Sequence, residues 1–322
     1  MSKYSLQAFE ETWPIKGVFN IAHGSRTESS VVICKISDGK YTGLGESYPY
    51  NRYDETVDFV LSEINNYRDI VIANPTRQEL LKIMPAGSAR AAIDLALWDL
   101  ESKQSGLAIW ELANLPKPKP IDSAFTISIG TIDQIARDVK ENIDKKILKL
   151  KLAGDNYDSA RILKIRELSP KSKIIIDANE SWSVDKYLEL IDFCVKANVS
   201  MIEQPFPASS DDVLKDLKRP IAICADEACH TSEDLKGLVG KYDMINIKLD
   251  KSGGLTEALN LYQNARSLGF KIMVGCMVTT SLSIRPAYYL SQNADIVDID
   301  GFALLAKDRI NGLKFFNSQV FE

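Results

Sequence analysis

Histidine is scarce in this chain: 322 residues hold only His23 and His230. A zinc site built on imidazoles, or a Ser-His-Asp triad, is therefore poorly supplied. Base chemistry has to be sought among lysines and carboxylates. The five cysteines (Cys34, Cys194, Cys224, Cys229 and Cys276) are scattered and odd in number. That argues against a disulfide framework and for reduced thiols in a cytoplasmic protein. No run of 18 apolar residues occurs, and the opening MSKYSLQAFEETW lacks the charged-then-apolar pattern of a signal segment. Nothing in the sequence thus directs the chain into or across a membrane. A net charge of −5 without a basic stripe argues against nucleic-acid binding as the main task.

What is present falls into two zones. Residues 30–36 (SVVICKI) read as a strand and Asp38-Gly39 as its turn, while 54–68 and 88–104 carry helical periodicity. Ser88 is the candidate N-cap of the second helix, and Gly106 lies just past its end. Strands followed by helices predict an α+β unit. The segment 115–120 (LPKPKP) has three prolines in six residues, which marks a boundary. Beyond it, eight short apolar runs begin at 124, 147, 173, 200, 221, 244, 271 and 295, with amphipathic segments between them. Eight evenly spaced strands alternating with helices predict a parallel, closed barrel. No Gly-rich turn follows the first of them, which weakens a dinucleotide-binding reading. The expected division is 1–118 as the α+β unit, 119–302 as the barrel and 303–322 as a tail packing back on the N-terminal unit.

Active groups of such barrels sit at the C-terminal ends of strands. Those ends carry Lys149 and Lys151, Asp177 and Asn179, Glu203, Asp226 and Glu227, Lys248 and Asp250, and Asp298 and Asp300. One charged strand end is ordinarily a solvated loop residue. Three consecutive strands ending in Asp177, Glu203 and Asp226 gather carboxylates on one rim, where they repel unless neutralised. Salt bridges could do that; a hard divalent cation with oxygen ligands does it better, and one Mg²⁺ is expected. Lys149 and Lys151 share a face, opposite Leu148, Leu150 and Leu152. Two inward ammonium groups should lower each other's pKa and favour a neutral amine. Lys248 belongs to strand six, diametrically opposite strand two. A metal flanked by Lys151 and Lys248 suits inversion at a carbon: one lysine removes a proton, the other returns one to the opposite face.

These residues resemble the enolase superfamily in its muconate-lactonizing subgroup, over essentially the whole chain. The resemblance rests on Lys149-Leu150-Lys151, Asp177-Ala178-Asn179, Glu203-Gln204-Pro205 and Ala225-Asp226-Glu227. It extends to Asn246-Ile247-Lys248 running into Ser252-Gly253-Gly254, and to the helix Ala92–Leu100. It departs at Ala108, where family members often carry Pro, a matter of packing. The resemblance implies a (β/α)7β TIM-like barrel with an N-terminal α+β capping domain. It also implies Mg²⁺-dependent chemistry through an enediolate, with Lys151 and Lys248 as bases and Asp177, Glu203 and Asp226 as ligands. Asp298-Ile299-Asp300 is similar to the paired acids with which dipeptide epimerases hold a substrate ammonium, with a plain acidic loop as the other reading. Thr126, Lys149 and Cys276 fall at substrate-contacting positions of that family. Residues 17–27 and 47–54 correspond to its mobile loops. Arg26 could pair with an acidic substrate side chain or be a surface arginine. A dipeptide, probed at the α carbon of its C-terminal residue, is thus the expected substrate, with Ala first. Cycloisomerisation, o-succinylbenzoate synthesis and N-acylamino acid racemisation are the alternatives, and a homo-oligomer is left open.

Overall fold

A computed structural model describes residues 4–21 and 24–322. The chain opens with three antiparallel strands, β1 (Ser5–Ile21), β2 (Gly24–Ser37) and β3 (Thr42–Ser47). Their apolar face packs on the helix Ser88–Ser105, with Val32, Cys34 and Ile36 against Ala92, Ile93 and Ala96 in one core. The approach is close enough to require glycine: a Cβ on Gly45 would run into the Ala92 carbonyl oxygen. Ser88 is not the cap of that helix. Gly87 holds the cap position at φ 133°, and the Ser88 hydroxyl donates to Tyr48 O (2.9 Å). The serine has been recruited to tie the 47–55 segment down instead.

Residues 17–27 were expected as a mobile loop, but the described part is hairpin. Pairing continues through Phe19↔Arg26, Asn20↔Ser25 and Ile21↔Gly24, after a register shift between Pro14 and Phe19. Backbone ladder bonds are available to any sequence that lies flat, so residues typical of loops still extended the strands. Ala22 and His23 of that segment lie outside the described residues. In 47–54 a short 3-10 turn, Asn51–Tyr53, follows β3.

After the short strand β4 (Ile121–Asp122), the barrel is built from β5 (Phe125–Ile127), β6 (Ile147–Lys151), β7 (Lys173–Asp177) and β8 (Val199–Glu203). It continues with β9 (Ala222–Ala225), β10 (Met244–Ile247), β11 (Lys271–Gly275) and β12 (Ile296–Asp298). All are parallel and paired in sequence order. Ala124 N donates to Val297 O (2.8 Å), which joins the first and last strands. On β6 the two-residue period sorts side chains as expected. Leu148, Leu150 and Leu152 pack outward with Ile135, Val139, Ile162 and Ile165 of the helices Ile132–Glu141 and Asp158–Leu168. The interior below the lysines is filled by Ala124, Ile175, Met201, Cys224, Met244, Met273 and Ile296. It is a packed core, not a pore.

The N-terminal unit docks on the barrel through polar groups. Arg90, Asp94 and Trp98 recur every four residues on the helix Ser88–Ser105 and so share a face. Arg90 Nη2 donates to Ser252 O (2.7 Å), Thr256 N donates to Asp94 (3.1 Å), and Trp98 Nε1 donates to Thr256 Oγ1 (3.0 Å). Gly254 sits at φ 112° against Asp94, where a Cβ would collide. The Ser252-Gly253-Gly254 motif is therefore a docking surface.

The tail meets both units. Ala306 N donates to Pro14 O (2.7 Å), and Arg309 pairs with Glu11 (2.6 Å) and Glu46 (2.7 Å). It ends in the hairpin of β13 (Lys314–Phe316) and β14 (Gln319–Phe321), which adds to β4 beside the first barrel strand. Among the described residues, no helix is long and apolar enough to cross a membrane.

Candidate active site

The strand ends bring the sequence-expected residues together. One cavity is lined by Arg26, Thr126, Lys149, Lys151, Asp226, Lys248, Cys276, Asp298 and Asp300. Asp177 and Glu203 lie beneath it, fully buried at the ends of β7 and β8. Ile15, Phe19, Met277 and Leu304 form apolar wall, and Arg26 stacks over Tyr48 (5.3 Å) and Tyr50 (5.9 Å) at its side.

The charges interlock. Lys149 Nζ lies 3.0 Å from Asp177, 2.7 Å from Glu203 and 2.7 Å from Asp298. Lys151 Nζ donates to Asp177 (2.6 Å) and to Asn179 Oδ1 (3.0 Å). Lys248 Nζ donates to Asp226 (2.6 Å). The mutual lowering expected for the lysine pair does not occur at Lys149. Burial works to lower its pKa, but Asp177, Asp298 and Glu203 outweigh that and hold it well above the usual range. The same holds at Lys248, where Asp226 and Glu203 outweigh burial. A contacting carboxylate acts more strongly than another ammonium farther off.

Several residues of this network were missed in the sequence. Lys251 is fully buried and donates to the Asp226 carboxylate (2.6 Å), Cys229 O (2.9 Å) and Asn246 O (3.1 Å). Asn246 Nδ2 donates to Glu203 (2.6 Å). Gln204 accepts from Asp226 N (2.9 Å) and Ala228 N (3.1 Å) and donates to Tyr242 (2.9 Å), which fastens the ends of β8 and β9 together. Lys251 lies in the turn after β10, where strand periodicity no longer predicts direction. Asp250 was grouped with the strand ends, yet it points away under the N-terminal unit and accepts from Tyr48 N (2.7 Å).

The donor set suits a hard cation. Asp177, Glu203 and Asp226 offer only oxygens, from three neighbouring strands. Glu203 Oε2 is buried without a hydrogen-bond partner, since Lys149 lies near it but outside hydrogen-bond geometry. Burial, then Asp177, push the Glu203 carboxyl up to about 7, and burial, then Asp226, push Glu227 up to about 8. Further positive charge beside these two carboxyls would stabilise their ionised forms. Among the described residues no three His, Cys, Asp or Glu groups converge at ligating distance. Ammonium groups lie between the carboxylates instead.

On the opposite wall, Asp300 accepts from Thr126 N (2.7 Å) and Asp298 accepts from Lys149. Asp298 Oδ1 is buried with no partner. Burial and the neighbouring Asp298 push the Asp300 carboxyl up to about 7. On this wall Lys149 is bound to Asp298 Oδ2.

Residues 3–113 match the mandelate racemase / muconate lactonizing enzyme N-terminal domain, and residues 133–303 match the enolase C-terminal domain-like family. The chain is similar to an L-Ala-D/L-Glu epimerase of Escherichia coli (strain K12), 41% identical over 98% of this chain and 99% of that protein. It is also similar to an N-acetyl-D-glutamate racemase of a Pseudoalteromonas species, 39% identical over 90% of this chain and 92% of the other. Among solved structures it resembles an enolase family member from Agrobacterium tumefaciens with homology to dipeptide epimerases, which holds sodium and L-Ala-L-Glu. The TM-score is 0.96 at 45% identity, covering 99% of this chain and 97% of that one. Other solved dipeptide epimerases of this fold are complexed with Mg and a dipeptide.

Proposed function

This chain belongs to the mandelate racemase / muconate lactonizing enzyme family of the enolase superfamily, and from that premise we propose that it is a Mg²⁺-dependent dipeptide epimerase acting on Ala-Glu-like substrates. The inverted centre is the α carbon of the C-terminal residue. The observation that carries the reading is the partnerless, buried Asp298 Oδ1 beside Asp300. A dipeptide presents an α-ammonium where an N-acyl amino acid presents a neutral amide. Only the first gives Asp298 Oδ1 a charge-assisted partner, since Lys149 is engaged with Oδ2.

Asp177, Glu203 and Asp226 would hold the cation, which would supply positive charge for the substrate carboxylate and for the charge that develops when the α proton leaves. Lys151 takes the proton from one face of the α carbon and Lys248 returns one to the other; they stand on opposite strands of the ring. Lys149 reaches between the carboxylates and Asp298, and so helps hold the substrate carboxylate. Thr126 and Cys276 shape the floor between the two ends. Arg26, half-buried and stacked on Tyr48 and Tyr50, reads the acidic side chain of the second residue. Residues 1–118 cap the site, 119–302 carry its chemistry, and 303–322 brace the two.

The test is α-hydrogen exchange in D₂O with Mg²⁺, with Ala-Glu, Ala-Leu, N-acetyl-Ala-Glu and N-acetyl-glutamate compared. Free Ala-Glu should exchange and epimerise fastest, and acetylation should abolish most of the rate. Equal handling of free and acetylated substrates would transfer the assignment to N-acylamino acid racemisation; one relative is an N-acetyl-D-glutamate racemase. In Arg26→Met, the advantage of Ala-Glu over Ala-Leu should shrink.

A further inference from the structure

The segment 47–54 reaches the barrel through one ion pair that the proposed chemistry does not use. Arg52 grips Glu180 at two points, Nε to Oε2 at 2.6 Å and Nη2 to Oε1 at 2.9 Å. Glu180 also accepts from Ala208 N (2.8 Å), so its carboxylate is held from both sides. Arg52 is two-fifths exposed, whereas the Glu180 side chain is 5% exposed. The neighbouring Tyr53 stacks edge-on against His230, with centroids 4.5 Å apart. The segment thus lies on the barrel with Tyr48 and Tyr50 turned into the cavity.

Glu180 is part of an unusual stretch of backbone. Asn179 and Glu180 both lie in the left-handed region, at φ 41° and 64°. Asparagine tolerates this region, but a glutamate there is unfavourable and persists only where its surroundings hold it. The holders are Gln204 O, which accepts from Glu180 N (2.8 Å), Asp177, which accepts from Asn179 N (2.9 Å), and Arg52. The turn has one product of consequence: Asn179 Oδ1 points at Lys151 Nζ, 3.0 Å away, while Asn179 Nδ2 donates to Glu227 (3.2 Å). On the far side of the ring, the corresponding ammonium of Lys248 is held by Asp226 and, among the described residues, makes no direct hydrogen bond to Asn179 or Glu180; the turn meets it only by way of Glu227.

We propose that Arg52 is a positioning residue for one of the two bases: its grip on Glu180 fixes the Asn179–Glu180 turn, and Asn179 thereby aims Lys151 but not Lys248. Closure of the 47–54 segment is in this way coupled to the competence of a single face of the site. The inference rests on the two-base reading above.

The experiment measures solvent deuterium entering each substrate diastereomer without inversion, in the full-length protein with Mg²⁺, for Arg52→Ala, Arg52→Lys and Glu180→Gln. Net epimerisation must fall in both directions, since the equilibrium constant is fixed. Wash-in from the diastereomer served by Lys151, identified with Lys151→Ala, is expected to fall by between about tenfold and about a hundredfold in Arg52→Ala, the scale of a misplaced reacting group. Wash-in at the Lys248 face should change by less than about threefold, on the same reasoning. Arg52→Lys should recover part of the loss, and so should free guanidinium added to Arg52→Ala. Equal loss on both faces overturns the inference, because Arg52 then serves closure alone; no loss on either overturns it as well. If Arg52→Ala fails to fold, Glu180→Gln keeps the shape of the side chain and gives the same readout. Failure of the natural protein to exchange any dipeptide α proton would instead strike the functional reading itself.

Discussion

The barrel interior has two rows that differ by two residues along each strand. In the lower row stand Ile175, Met201, Cys224 and Ile296, all buried and apolar; one inward step up stand Asp177, Glu203, Asp226 and Asp298. Both rows belong to the same strands and follow the same ladder register. The lower one is stabilised by removal from water and close packing, with nothing left unpaired. The upper one holds at least eight buried charges, with orphaned oxygens at Glu203 and Asp298 and carboxyls pushed toward neutrality at Glu203 and Asp300. Buried charge contributes little to stability even when paired. The difference teaches that this barrel separates the work of standing up from the work of chemistry by a single pleat.

The largest effect that can sharpen the contrast is loss of a base. Lys151→Ala and Lys248→Ala should each lower epimerisation by about 10³-fold or more, near the upper range for a positioned acid–base group. Each should keep α-proton exchange of one diastereomer, and they should keep opposite ones. Normal epimerisation in either variant, read by NMR in both directions, would refute the two-base account.

Next comes the far wall. Asp298→Asn should cost about 2–5 kcal/mol in binding the ammonium, a fall of roughly 30-fold or more in kcat/KM for Ala-Glu. N-acetyl substrates, already poor, should hardly change. Steady-state kinetics on both substrate classes decides whether the loss is specific to the charged end.

The lower row should respond in the opposite sense. Met201→Ala opens a cavity in the packed interior and should destabilise by about 2–5 kcal/mol, while kcat/KM measured well below the melting temperature stays within about twofold, as expected for a change outside the reacting groups. A kinetic loss as large as that of Asp298→Asn, in a variant folded at the assay temperature, would break the separation of rows.

The smallest expected effect is a gain of stability. The Asp300 carboxyl is pushed up to about 7 by burial and by Asp298, against about 3.9 in the unfolded chain. The native state therefore binds this proton more tightly, and its contribution to stability declines as pH rises from about 4 to about 7. Asp300→Asn lacks that decline. Without ligand it should melt a few degrees above the natural chain at pH 8, with the difference shrinking toward pH 5. A melting difference of the same size at both pH values would show that the charge is not its source.

Much of this was legible in the chain itself. The eight strands, the outward leucines of β6 and the acids ending β7, β8 and β9 were all visible, because the two-residue period needs no tertiary information. The hairpin form of the described part of 17–27 was not legible, because loop-like composition does not prevent two antiparallel strands from continuing to pair. Lys149 was expected to face another ammonium and instead faces three carboxylates, one of them from the last strand, some 149 positions along the chain. No local pattern reports a partner that only ring closure supplies.

The sequence by itself thus determined the order of elements, which side of each strand faces inward, and which residue types crowd the rim, since these follow from periodicity and covalent neighbourhood. Tertiary structure alone decided that Lys149 spans to Asp298, that Lys251 lies beneath Asp226, that Asp250 leaves the site, and that Arg52 reaches Glu180. Each of these contacts joins segments distant in the chain. Their geometry is set only when the strands close into a ring and the N-terminal unit settles on its rim.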